Sequence, residues 1–179
     1  MVTPTPMAPG SMLETLEHIE RELLPGWLGS PLGWATKYID YHPPLVERAY
    51  RDWEGLRISL HRIHPCEPSE AFFHPHPWAG AFRVWGRYEM GVGFGAGTTR
   101  PDHAMTLQTT PGTAYEMLHP DVWHSVRPHP IPVVTVMVTG KPWGREAPRT
   151  ADQPFRALAE AELGQLLSDV RAHYPVQSA

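Results

Sequence analysis

Between Leu56 and Gly140 the chain is cut into short runs of alternating apolar and polar residues, and the gaps between runs are turn sequences without the length to hold a helix. Leu56, Ile58 and Leu60 alternate with Arg57, Ser59 and His61, the period of a half-buried strand. Further runs read as strands at Phe72 to His76, Ala81 to Trp85, Arg87 to Phe94, His103 to Thr109, Thr113 to Leu118, Val122 to Arg127 and Pro132 to Thr139. Segments such as PG, HPD and PHPIP separate the later ones. Parallel neighbours need crossovers of a dozen residues or more, usually helical, so these strands predict an all-β antiparallel sandwich or barrel.

The flanks read differently. Residues 1–10, MVTPTPMAPG, alternate proline with small residues and are expected to form a disordered tail. Ser11 and Glu14 form a capping-box pattern, and Leu13, Leu16, Ile19, Leu23 and Leu24 recur at helical spacing until Pro25 and Gly26. The rest of residues 11–55 reads as irregular, with a short helix from Pro44 to about Trp53. After the barrel at 56–140, residues 141–179 read as a loop followed by an amphipathic helix marked by Phe155, Leu158, Leu163, Leu166, Leu167 and Val170, with Asp152 as its cap. A chain of 179 residues organised this way is expected to be one domain, with its helices packed outside the barrel.

Composition narrows the function. A formal charge of -4 without any lysine or arginine cluster argues against a nucleic-acid surface, and small-molecule work fits better. The single Cys66 permits no intramolecular disulfide and excludes a zinc ribbon. The first residues lack both a basic start and an apolar core, and the longest apolar run, IPVVTVMV, is too short to span a bilayer, so the expectation is a cytoplasmic protein with no membrane partner.

The chain carries 11 histidines, and three of them stand where metal chemistry would need them. His74 and His76 are two apart in an extended run, so their imidazoles point the same way. Neutral imidazole suits zinc, iron, copper and nickel. His124, in the later strand, can supply a third ligand. His61, His64, His119 and His129 are alternative ligands, and Glu89, Glu116 or Asp121 could bring a distant carboxylate.

The stretch from Leu56 to Gly140 resembles the cupin superfamily, whose fold is a double-stranded β-helix, a jelly-roll barrel. His74 and His76 match the His-x-His of its first motif, Gly86 the glycine that closes that motif, and PGTAYEMLHPDVWHSV its second motif with His124 as ligand. The family glutamate is missing: Pro77 to Phe82 occupy its window without an acid. The site is therefore similar to the three-histidine arrangement of cupin thiol dioxygenases and some diketone-cleaving cupins. That resemblance implies one divalent metal, Fe(II) favoured over Zn, Ni, Mn or Cu, held by His74, His76 and His124. Three neutral ligands would leave the ion its full charge and open positions for a small anionic substrate together with dioxygen. Cys66 precedes the first motif, so no cysteine-tyrosine crosslink is expected.

Strand parity adds the remaining candidates. If Ala81, Arg83 and Trp85 face the cavity, Arg83 can hold a substrate carboxylate; if Phe82 and Val84 do, Arg83 is a surface charge. Tyr115 is a candidate donor to substrate or oxygen, and His103 a candidate wall residue of the substrate site. Trp78 and Trp123 are expected behind the ligands, packing the imidazoles from outside. The resemblance implies a metal-dependent oxidoreductase of dioxygenase type; the rivals are a metal-dependent isomerase, decarboxylase or lyase, and a binding cupin without chemistry. The two amphipathic helices leave room for a homodimer.

Overall fold

The computed structural model describes residues 11–97, 99–144 and 154–174. It contains ten strands: β1 (Ala35–Ile39), β2 (Val46–Trp53), β3 (Leu56–Ile63), β4 (His74–Pro75), β5 (Trp78–Trp85), β6 (Tyr88–Phe94), β7 (Met105–Gln108), β8 (Thr113–Met117), β9 (Val122–Pro128) and β10 (Val133–Pro142). They form a six-stranded sheet in the order β1-β2-β3-β10-β5-β8 and a four-stranded sheet in the order β4-β9-β6-β7. Every pairing is antiparallel.

The order is nested. β6 pairs with β7, β5 with β8, β4 with β9 and β3 with β10, so β3 to β10 are one long hairpin rolled up across two sheets. That is the jelly-roll form of a β-sandwich, one of the antiparallel architectures expected from the turn-punctuated sequence and the double-stranded β-helix that the cupin resemblance implied.

The segment before β3 departs from expectation. Instead of a helix from Pro44, residues Val46–Trp53 form β2, which pairs with β3 along its whole length, and β1 adds a further edge strand. Pairing with β3 overrides a local helix signal that rested on a single proline. The turn between β2 and β3 is made by Glu54 (φ 49°) and Gly55 (φ 79°), and two left-handed residues in succession are what a tight two-residue hairpin demands. β4 is only two residues long, because Pro75 and Pro77 have no N–H to give a ladder.

The helices cover the outer face of the larger sheet. α1 (Met12–His18) passes through a wider π turn (Ile19–Leu23) into α2 (Leu24–Trp27), so Pro25 and Gly26 lie inside the helix rather than ending it. Its expected capping box is present: Glu14 N donates to Ser11 Oγ at 3.1 Å and Ser11 N to Glu14 Oε2 at 2.9 Å. α3 (Glu160–Arg171) starts from Ala159, whose N–H donates to Glu162 Oε2 at 2.7 Å; Asp152, the expected cap, lies outside the described residues.

Leu16, Ile19, Leu24, Leu166, Leu167 and Val170 of the helices pack on Ile58, Leu60, Val134, Val136 and Val138 of the sheet. Between the two sheets Phe82, Met117 and Met137 of the larger sheet form one cluster, and Val84 and Val133 meet Tyr88 and Met90 of β6 in another. β10 is buried on both faces, which explains why IPVVTVMV reads as an unbroken apolar run. With the main hydrophobic core outside the barrel, the interior is free to carry polar side chains. No helix among the described residues is long and apolar enough to cross a membrane.

Candidate metal centre and its pocket

The nested pairing places the histidines. His74 of β4 is the direct register partner of His124 of β9, and their ring centroids are 4.8 Å apart; His76, just past β4, lies 5.3 Å from His124. His76 and His124 are buried and His74 is half-buried, and desolvation lowers the pKa of His74 to about 4, that of His76 to about 3, and that of His124 well below its usual value. They are neutral imidazoles at pH 7.

Hydrogen bonds settle two of the tautomers. His74 Nδ1 lies 3.0 Å from Phe72 O and His76 Nδ1 3.2 Å from Trp78 O. A carbonyl only accepts, so each Nδ1 carries the proton and each Nε2 keeps its lone pair, the arrangement that orients metal-ligating histidines. Nδ1 of His124 is buried without a hydrogen-bond partner. Imidazoles bound to one ion at about 2.1 Å have ring centroids roughly 4.5–5.5 Å apart, which both pairs satisfy. As they stand, no three His, Cys, Asp or Glu side chains among the described residues are oriented to hold an ion, so the fit lies in spacing, tautomer and the orphaned nitrogen, and closing the set takes ring rotation. His74 is steadied from behind by a stack in which its ring lies 5.1 Å from Phe72, itself 4.0 Å from His42.

A cavity of about 240 Å³ opens beside His74 and His76, lined by them and Trp78, by Lys37 of β1 and Arg48 of β2, and by Tyr41 and His42 of the loop between those strands; His124 is not among its lining residues. Phe72, Phe155 and Met137 complete much of its apolar wall. No carboxylate lines it among the described residues, whereas two cations do. Both are weakened by desolvation: the Lys37 ammonium is lowered, and the Arg48 guanidinium is lowered to about 10. The charge of Arg48 in turn helps to depress His74, His76 and His61.

Several expected site residues lie elsewhere. Arg83 is not in the cavity: β5 turns Gly80, Phe82 and Val84 inward, and Arg83 points to the helices, where Nε and Nη2 grip Glu20 at 3.0 and 2.9 Å and Nη1 reaches Gly112 O at 3.0 Å. Tyr174 also donates to Glu20 and receives a bond from Trp85 Nε1 at 2.8 Å, so the cluster fastens both helices to the sheet. His103 sits outside the four-stranded sheet, with Nε2 2.5 Å from Met105 O and the ring packed against Phe73.

Tyr115 does face inward, but Phe82 stands between it and the histidines, stacked on Tyr115 at 4.7 Å and 5.2 Å from His76. Its hydroxyl is 2.7 Å from that of Tyr88, and burial pushes its pKa up, away from proton transfer at neutral pH. Trp123 packs behind His124 as expected, donating to Gly95 O at 2.9 Å, whereas Trp78 shares the parity of His76 and lines the cavity. Glu89 pairs with Arg127, and Glu116 Oε1 accepts Leu13 N at 2.7 Å at the start of α1, so neither carboxylate reaches the centre.

Two polar residues of the interior were not anticipated as a pair. Arg48 donates from Nε to Nε2 of His61 at 2.9 Å, and His61 Nδ1 lies 2.9 Å from Thr135 Oγ1. Read as a strand, Val46, Arg48 and Tyr50 would have been one face; the misplaced helix hid it.

Strand order and pocket together define a jelly-roll barrel with a histidine-lined interior. No family model matches the chain, and no curated protein does. Among solved structures it is similar to hydroxypropylphosphonic acid epoxidase from S. wedmorenis, at 13% identity and a TM-score of 0.47 over 62% of this chain and 56% of that one. It is also similar to a structure from work on the DMSP lyases RdDddP and RnDddQII, at 15% identity and 0.43 over 60% and 53%, and to KdgF from Halomonas sp., at 15% and 0.42 over 58% and 86%. The matched part spans about half the length of the first two.

Proposed function

We propose that the protein is a mononuclear metal-dependent cupin enzyme that acts on a small anionic molecule, with His74, His76 and His124 as the metal ligands. The observation that supports this most is the pair of Nδ1-tethered imidazoles facing the orphaned ring of His124 beside a cation-lined cavity. Fe(II) is the favoured ion and oxygen-dependent, dioxygenase-like oxidation the favoured reaction. A bound Fe(II) would supply open coordination positions and the redox chemistry by which dioxygen and an organic anion can react together.

The chain's own residues do the rest. Lys37 and Arg48 attract and orient the anion, whose charge offsets that of an ion held by three neutral ligands. Phe72, Phe155 and Trp78 exclude water from its body. The lining holds no carboxylate among the described residues, and His42 and Lys37, both lowered by desolvation, are the groups there able to take a proton, so oxygen uptake is what separates oxidation from isomerase, decarboxylase or lyase chemistry.

Oxygen uptake by Fe(II)-loaded protein, measured across a panel of small carboxylates, tests the reaction class. The expected result is uptake stoichiometric with substrate loss; turnover of a substrate without uptake would assign the site to lyase or isomerase chemistry instead.

A further inference from the structure

Three other arginines of the larger sheet are answered by carboxylates, Arg57 by Asp52, Arg62 by Glu47 and Asp169 and Arg83 by Glu20, and Arg51 lies over the rings of Trp27 and Trp34. Arg48 differs. No carboxylate among the described residues pairs with it, and its one hydrogen bond is the Nε donation to His61. A desolvated cation without a counter-charge is costly, and its guanidinium fork faces the cavity.

His61 fixes that fork. Accepting from Arg48 requires a lone pair on Nε2, so His61 is neutral with its proton on Nδ1, which donates to Thr135 Oγ1. The relay runs from β10 through β3 to β2, three neighbouring strands of one sheet, and therefore holds Arg48 on a rigid frame. Among the described residues it leaves the two terminal nitrogens of the guanidinium to a planar, bidentate acceptor. The walls around it are aromatic: Tyr41, Phe72, Trp78 and Phe155.

We propose that Arg48 is the anion clamp of this pocket, that His61 and Thr135 are its positioning residues, and that the ligand is a small aromatic or similarly planar carboxylate. The carboxylate pairs with Arg48 while its ring lies among the aromatic side chains, its far end toward His74 and His76. This names the substrate class for the reading above and rests on that reading's pocket, but the clamp needs no metal.

Calorimetric titration of benzoate and its neutral counterpart benzamide into metal-free full-length protein tests it, with zinc stoichiometry measured separately on the same preparations. Wild type is expected to bind benzoate at least about tenfold tighter than benzamide. Arg48→Gln keeps a donor for His61 and should lose that preference through weaker benzoate binding, with benzamide and zinc binding unchanged; Arg48→Lys should recover part of it. His61→Phe should weaken benzoate several-fold and His61→Gln, which retains an acceptor, less so; if His61→Phe does not fold, the Arg48 pair decides. Equal affinity for the two probes, no benzoate binding by wild type, or an Arg48→Gln protein that binds benzoate like wild type would overturn the proposal. Absent zinc binding with the preference intact would instead count against the metal centre alone.

Discussion

His74 and His124 are register partners across β4 and β9, facing each other with ring centroids 4.8 Å apart inside the barrel. Fifty residues separate them in sequence, and only the rolled hairpin brings them together. His76, just past β4, still donates its N–H to Val122 O of β9 at 3.4 Å, and its ring lies 5.3 Å from that of His124.

Burial keeps His61, His74, His76 and His124 neutral in the folded protein, whereas the unfolded chain protonates histidine near pH 6.5. Between that pH and the depressed folded values the unfolded state binds more protons. Stability is therefore full above about pH 6.5 and falls as pH drops toward 4, by about 1 kcal/mol per pH unit for each histidine. Urea denaturation of the metal-free protein at pH 7.5, 6 and 5 should show midpoints declining in that order. A flat profile would mean that these rings are not buried neutral.

Arg83 belongs to the helix–sheet junction and not to the cavity. Arg83→Ala leaves the carboxylate of Glu20, itself only 9% exposed, without its counter-charge and should cost about 3 kcal/mol of stability, read by chemical denaturation. Affinity of the folded fraction for carboxylate ligands should stay at the wild-type value. A change in ligand affinity without a loss of stability would return Arg83 to the site.

Arg48 should show the opposite pattern. Arg48→Gln removes a desolvated cation and keeps a donor toward His61, so the metal-free protein should gain about 1 kcal/mol, a rise of roughly 2–4 °C in melting temperature for a chain of this size. Scanning calorimetry checks this. A marked fall in melting temperature would assign Arg48 a structural role.

The junction between helices and sheet holds the main core. Leu166, fully buried between α3 and the sheet, should cost about 2–5 kcal/mol when cut to alanine. Denaturant titration reads the loss directly, and a cost under about 1 kcal/mol would mean that α3 contributes little to the fold.

The jelly roll and the histidine cluster were legible because each rests on a local signal repeated along the chain. Turn residues mark the strand ends, and the i, i+2 spacing of His74 and His76 fixes their common side. Arg83 was left between two readings because strand alternation gives two faces without saying which is inside; the choice was made by the π turn after α1, whose Glu20 meets Arg83 from the outer side. Arg48 was missed because Pro44 suggested a helix start, while pairing with β3, a contact no local window contains, made the segment a strand. Tyr115 has the inward parity expected of it, yet only packing reveals that Phe82 screens it from the histidines.

Metal content tests the central claim most directly. Wild type and the three variants His74→Ala, His76→Ala and His124→Ala, each loaded with Fe(II) or Zn(II), freed of excess ion and measured by elemental analysis, should give about one ion per chain for wild type and little for each variant. Folded variants that keep a full equivalent after loss of any one of the three imidazoles would contradict a shared site.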